Sequence, residues 1–157
     1  MIRIRPLSQD DLVSLSAALA PLPLLARYGR SAASLQADLT AALARGDGLL
    51  AADDPENGGD GALGLAWFLR SGGLGLGAYL RLIAVRPGRE KCGVGTALLH
   101  GFEEEAARAG RHAFLLVSDF NLDAQAFYER HGWSRRGSLP DLVLPGVAEL
   151  LYAKRVR

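Results

Sequence analysis

Gly93 and Gly95 stand in the stretch Val85-Arg86-Pro87-Gly88-Arg89-Glu90-Lys91-Cys92-Gly93-Val94-Gly95-Thr96-Ala97-Leu98-Leu99. An apolar strand pattern runs into a short glycine-containing loop and then into helical periodicity. A loop of this kind presents backbone N–H groups at the positive end of a helix dipole, which suits an anion, most often a phosphate. Glycine at such positions lets phosphate oxygens approach the main chain. Further along, Asn121 offers an amide. Tyr128 offers a phenol with an ordinary pKa of about 10. Cys92 is read as incidental, since nucleophilic catalysis would need a base positioned beside it. His100, His112 and His131 show no metal-ligand spacing, so no metal site is expected.

Two phosphate-binding patterns fail on the residues. A Walker A loop, G-x-x-x-x-G-K-[ST], fits Gly88 and Gly93, but Val94 occupies the lysine position. A dinucleotide fingerprint, G-x-G-x-x-G, is met by Gly93 and Gly95, but Leu98 stands at the third glycine and no acidic residue ends the following strand.

The elements that would position these residues can be read from periodicity. Ile2 to Arg5 alternates as a short strand that Pro6 closes, and Ser8 or Asp10 caps a helix through Leu12, Leu15 and Leu19. A second helix starts near Ser31 or Ser34 and ends at Gly46. Gly48–Ala52 and Ala62–Leu69 read as strands of a hairpin around a polar turn at 53–61. Ser71 to Gly77 reads as a glycine-rich tip before a strand at Tyr79–Val85. Gly93–Ala109 is a helix, His112–Val117 a strand, and Asp123–His131 a short helix ending at Gly132. The run Glu103, Glu104 and Glu105 is a solvated helix face. A last strand lies within Glu149–Val156. Strands cluster as hairpins and then alternate with helices, which argues for an α/β arrangement, a mixed sheet with helices on its faces.

The stretch V-x-P-x-x-x-x-x-G-x-G-x-x-L-L resembles the acetyl-CoA loop of the GNAT superfamily of N-acetyltransferases. That loop is usually R/Q-x-x-G-x-G/A; Gly93 and Gly95 match it, and Glu90 takes the Arg/Gln position. A second stretch, Val117 to Trp133, resembles the family pattern V-x-x-x-N-x-x-A-x-x-[LF]-Y-E-x-x-G-[FW], with Asn121, Ala124, Phe127, Tyr128, Glu129, Gly132 and Trp133 in register. The opening I-R-I-R-P-L-S-Q-D-D-L and the closing Leu151-Tyr152-Ala153-Lys154-Arg155 are also similar to the family's ends.

The resemblance implies a single domain over residues 1–157. Its fold would be a mixed, mostly antiparallel sheet of about seven strands with about four helices, two strands splaying into an acetyl-CoA cleft. It implies transfer of acetyl from acetyl-CoA to a primary amine by direct attack on the thioester. Leu82, Ile83, Ala84 and Val85 would hold the pantetheine arm by strand-like hydrogen bonds, with the Val85 N–H facing the oxyanion. Backbone of Glu90, Lys91, Cys92, Gly93, Val94, Gly95 and Thr96 would take the pyrophosphate. Asn121, Ala124, Phe127 and Tyr128 would meet the cofactor from the second motif, with Tyr128 as general acid. The family often carries a base, Glu, on the strand before the loop; Tyr79-Leu80-Arg81-Leu82 contains none. Asp119 is the first choice for base, with His112 and a water path as alternatives. An alternative function is a non-catalytic acyl-CoA-binding or sensor domain on the same fold.

In the family the acceptor is shaped by segments that correspond here to residues 21–34 and 137–147. The second is mostly apolar with one acid, Asp141. A small or peptidic amine with an apolar portion is expected, its ammonium attracted by Asp141 or Asp119. A homodimer is a possibility that the family allows.

Composition narrows the alternatives. Apolar residues make up 49% and charged residues 22%, the balance of a globular chain. A net charge of +1 does not suggest a general binder of nucleic acid or of membrane surfaces. A single cysteine excludes an intramolecular disulfide and agrees with a cytoplasmic setting. The best apolar stretch, Leu15 to Ala26, is short of the roughly 20 residues of a membrane span and is broken by Pro21 and Pro23.

Overall fold

A computed structural model describes residues 1–56 and 61–157. Of the turn expected at 53–61, residues 57–60 therefore lie outside the described residues. The strands are β1 (Arg3–Pro6), β2 (Gly48–Asp53), β3 (Gly64–Leu69), β4 (Gly77–Val85), β5 (His112–Ser118), β6 (Ser134–Pro140) and β7 (Ala148–Arg155). The helices are α1 (Leu12–Leu19), α2 (Pro23–Arg27), α3 (Ala32–Arg45), α4 (Val94–Ala109) and α5 (Leu122–Arg130). The seven strands form one sheet in the order β1-β2-β3-β4-β5-β7-β6. β4 and β5 run parallel, while β1 with β2, β2 with β3, β5 with β7 and β6 with β7 are antiparallel.

Two differences from the sequence reading have local causes. The helical pattern after Leu12 breaks in two, because Pro23 cannot continue a helix but serves well at its first position, where it opens α2. This makes five helices among the described residues, where about four were expected. Ser134–Pro140 is a strand, so residues 137–140 of the expected acceptor loop belong to β6. Its side chains are almost all exposed, which leaves no hydrophobic alternation to read.

The chain divides into two compact units, Met1–Phe68 with Leu82–Phe102, and Leu69–Arg81 with Glu103–Arg157. In the first, Leu12, Leu15 and Leu19 of α1 share a buried cluster with Leu35 and Leu39 of α3, and with Leu49, Leu65, Trp67 and Ala84. The leucine spacing along α1 puts all three on one helix face. Ser31 caps α3 through a bond from the Ser34 N–H, and Gly46 ends it at φ 79°.

Arg5 fixes the entry to this unit. Its guanidinium donates to both oxygens of Asp11, at 2.7 and 2.8 Å, and its Nε donates to Asp53 Oδ2 at 2.7 Å. Asp11 also accepts from the Ser8 N–H at 2.8 Å. Hydrogen bonding from Arg5 holds the Asp11 carboxyl down at about 2.

The second unit places β5 at its centre. Gly77–Leu80 pair with His112–Leu115 on one side, and Ser118 through His112 pair with Glu149 through Arg155 on the other. Lys154 Nζ donates to Glu103 Oε1 and to the His131 carbonyl, at 2.9 and 2.8 Å, and Trp133 Nε1 donates to the same Glu103 oxygen at 2.9 Å.

Gly64 opens β3 where it meets the end of β4. A Cβ there would lie 2.5 Å from the Ala84 carbonyl oxygen and 3.2 Å from the Val85 Cα. Gly64→Ala is expected to lower stability by about 1–3 kcal/mol, the usual cost of overpacking against backbone, read as a lower midpoint in chemical denaturation.

Candidate active site

In the first unit, Leu82, Ile83 and Val85 are half-buried and Ala84 is buried. The chain leaves β4 at Arg86, which is held tightly: its N–H donates to Leu63 O at 2.8 Å, its Nε to Ala62 O at 2.6 Å and its Nη2 to Ser14 Oγ at 2.6 Å. The loop then turns through left-handed backbone at Gly88 (φ 82°), Lys91 (φ 59°) and Gly93 (φ 84°). For Lys91 that conformation costs about 1–2 kcal/mol, and non-glycine residues held in it cluster at functional sites.

Glu90 lies where an Arg or Gln is usual in the resembled loop. Its Oε2 accepts a hydrogen bond from the Gly88 N–H at 2.7 Å. The carboxylate is thus turned back into the start of the loop and neutralises a backbone donor there. Cys92 is exposed. α4 begins directly after Gly93, whose carbonyl accepts the Ala97 N–H at 3.0 Å. The Val94 and Gly95 N–H groups precede that bond and have no carbonyl one turn back within the helix. A Cβ built on Gly93 meets nothing within 4 Å, so open space lies over the helix start. An anion fits that combination of open space, glycine backbone and helix N-terminus.

In the second unit, Asn121 caps α5: its Oδ1 accepts the Ala124 N–H at 3.2 Å, which leaves its amide NH2 out of the cap. Ala124 and Phe127 are half-buried. Tyr128 is only 7% exposed and stacks edge-on between Phe127, at 5.2 Å between centroids, and Trp133, at 6.1 Å. Burial pushes its phenol well above the usual 10, and the neighbouring Tyr79 adds to the shift. The hydroxyl therefore keeps its proton throughout neutral pH and stands as a donor.

Asp119 is exposed, and its Oδ2 accepts the Ala148 N–H at 3.0 Å while its own N–H donates to Ala148 O at 2.9 Å. It clamps the end of β5 to the start of β7. Asp141 has φ 56°, and its Oδ1 accepts the Gly146 N–H at 2.6 Å, closing the turn between β6 and β7. His112 lies at the opposite end of β5 from Asp119.

The carboxylate that the sequence reading passed over is Glu149. It is 5% exposed, and Ser118 Oγ donates to its oxygens at 3.3 and 3.4 Å. The signal was present in Val147-Ala148-Glu149-Leu150-Leu151, where one acid interrupts an apolar strand. Among the described residues no group of His, Cys, Asp and Glu is placed to hold a metal ion, and no helix is long and apolar enough to cross a membrane.

The Acetyltransferase (GNAT) family model matches residues 21–133, well over half of the chain. The chain belongs to the GNAT acetyltransferase family. A GNAT-family acetyltransferase from Bacillus cereus superposes with a TM-score of 0.79 at 17% identity, over 99% of this chain and 97% of the other. An aminoglycoside 6'-N-acetyltransferase solved with coenzyme A gives 0.76 at 19%, over 99% and 97%. The aminoglycoside 6'-N-acetyltransferase of Enterococcus faecium gives 0.73 at 20%, over 99% and 97%. These likenesses show the GNAT fold. No curated protein matches the chain.

The raised Tyr128 phenol carries a signed expectation. Its folded pKa lies above the unfolded 10.0, so the fold favours the neutral form. That contribution is present below pH 10 and is lost as pH rises through the folded value. Tyrosinate absorbance should therefore show Tyr128 ionising last among the four tyrosines. Tyr128→Phe should remove that late step and leave the earlier ones unchanged.

Proposed function

We propose that this GNAT protein transfers acetyl from acetyl-CoA to the primary amine of a small or peptidic acceptor with an apolar portion. The observation that carries the reading is the loop from Arg86 to Gly95. Its left-handed turns at Gly88, Lys91 and Gly93 open α4 beneath free space, the local form that a pyrophosphate requires. Backbone from Glu90 to Thr96 takes the pyrophosphate, and Leu82 to Val85 run along the amide-bearing arm, with the Val85 N–H directed to the oxyanion. Asn121 gives its spare amide to the arm, beside Ala124 and Phe127.

The amine must shed a proton before it can attack, since a free lysine-type amine has a pKa of about 10.4. Asp119, directly or through water, receives that proton. The nitrogen forms a bond to the thioester carbonyl, the C–S bond breaks with its electron pair leaving on sulfur, and the nitrogen's second proton passes to water, from which the Tyr128 phenol is restored. Tyr128, held neutral by burial, donates its O–H to the developing thiolate. Residues 1–157 act as one catalytic domain in this reading, and their acceptors are neither nucleic acid nor membrane. The aminoglycoside acetyltransferases among the structural neighbours make amine-bearing small molecules the first acceptors to screen.

Calorimetric titration of acetyl-CoA is expected to show binding by the wild type. Gly93→Asp should weaken it at least about tenfold: an acid there repels phosphate, and at φ 84° any side chain also strains the loop backbone. Wild type that does not bind acetyl-CoA would sink the reading. Tyr128→Phe should leave acetyl-CoA affinity within about twofold and lower kcat by about 100-fold or more, the usual range for a lost general acid; an unchanged kcat would remove Tyr128 from the chemistry.

A further inference from the structure

The turn between β3 and β4 holds two leucines in water. Leu74 is 87% exposed and Leu76 71%. The backbone that carries them is tightly bonded. The Gly73 N–H donates to Gly77 O at 3.0 Å, the Gly75 N–H to Ser71 O at 3.1 Å and the Leu76 N–H to Gly73 O at 2.8 Å. Glycines here are packed against β5. A Cβ on Gly73 would lie 2.2 Å from the Phe114 ring, and one on Gly77 would lie 2.1 Å from the His112 carbonyl oxygen. Leu74 itself takes left-handed backbone at φ 56°, which a leucine seldom adopts. The turn thus fixes both side chains where they gain nothing from the core.

Single exposed leucines are ordinary; these two differ in their electrostatic setting. Val13, Leu122, Leu139, Leu142 and Val143 are also exposed, and each lies within two residues of an aspartate. Around the turn, residues 69–89 contain no Asp or Glu. The segments beside it are equally free of acids. Gly77 pairs with His112, His112 pairs with Arg155, and the Val156 N–H donates to Arg111 O at 2.8 Å. A Cβ on Gly110, one residue before Arg111, would lie 3.4 Å from Leu76 O. Residues 106–118 and 150–157 carry no acid, and Arg111 and Arg155 are exposed. Glu105, the last acid of α4, is paired with Arg108. A net charge of +1 therefore conceals an uneven distribution: this end of the sheet is cationic with two leucines at its tip.

We propose that this end of the sheet docks on an anionic phospholipid surface, with Leu74 and Leu76 entering the boundary between headgroups and acyl chains and Arg111 and Arg155 meeting the lipid phosphates. Aliphatic side chains gain by leaving water for acyl chains, and guanidinium groups are drawn to an anionic leaflet within about one Debye length. Arginine can lie at headgroup depth while its stem follows the leucines inward. An exposed turn suits lipid better than protein, because acyl chains need no matching pocket whereas a protein would have to supply a concave apolar one. Docking sets where the protein sits and leaves the acceptor of the acetyl group unchanged. It requires no acetyl-CoA, so it is judged separately from the acetyltransferase reading.

The test is cosedimentation of the full chain with sucrose-loaded vesicles, either phosphatidylcholine alone or phosphatidylcholine mixed with phosphatidylglycerol. At low salt the wild type is expected to partition onto the anionic vesicles at least about tenfold more strongly than onto the neutral ones, and added salt should erode that preference. Leu74→Asn combined with Leu76→Ser keeps the turn, since asparagine tolerates left-handed backbone. It should weaken partitioning onto anionic vesicles at least about tenfold. Arg111→Gln combined with Arg155→Gln should remove the preference between the two vesicle types. Both variants should unfold at the wild-type denaturant midpoint and bind acetyl-CoA as the wild type does. Wild type that ignores both vesicle types, or binds them equally, overturns the proposal whatever the variants do. A full anionic preference in the leucine variant overturns it too, because adsorption would then rest on charge alone. Capture of the wild type by poly-glutamate with none by anionic vesicles would assign this end to an acidic protein and overturn it likewise.

Discussion

Two strands that are consecutive in the chain and lie parallel cannot be joined by a tight turn; the chain must first travel back along the sheet through a crossover. β4 and β5 are such a pair, and α4 is their crossover. The start of α4 must then fall just past the end of β4, after a loop long enough to reverse direction. Arg86 pins the first residue of that loop with three hydrogen bonds, and left-handed residues make the reversal. A cluster of main-chain donors at the end of a strand is thus a by-product of strand direction. Glycine supplies two of its left-handed turns, at Gly88 and Gly93. This explains how Glu90 can replace the usual Arg or Gln: its carboxylate serves the turn at Gly88, while the helix start remains backbone.

The acids of the second unit are sorted by what their neighbours leave them. Asp119 and Asp141 sit at strand ends, where the main chain has N–H groups to satisfy, and each is taken up by one. Glu149 lies one residue inside β7, where ladder bonds already use the backbone. Its buried side chain accepts from the Ser118 hydroxyl. A single step along a strand changes the side of the sheet and therefore the chemistry open to a carboxylate.

Much of the fold could be read from the residues because its local signals were strong. Ser31, Gly46, Asn121 and Gly132 mark helix ends by cap chemistry, and the α1 leucines mark a buried face. β6 was not legible: an exposed edge strand of Ser, Arg and Gly has neither alternation nor β-branched residues. The break at Pro23 was visible as a proline but not as the start of a new helix, since that depends on packing of Leu25. For the site, the loop and the Asn121–Tyr128 motif carried spacing that could be matched. Glu149 carried none. Its setting comes from register with Ser118, a partner distant in sequence, and only the folded sheet brings the two together.

The way Lys154 is held has a consequence for a protein that handles an activated acetyl group. Such a group can modify the protein's own amines. Lys91 and Lys154 are the only lysines in the chain, every other strongly basic side chain being a guanidinium. The Lys154 ammonium lies between the Glu103 carboxylate and the His131 carbonyl, partly buried beside Trp133. Attack on a thioester would require it to leave a bond network joining α4, β7 and the end of α5. Self-acetylation is thereby steered away from the lysine whose charge the second unit uses to hold itself together.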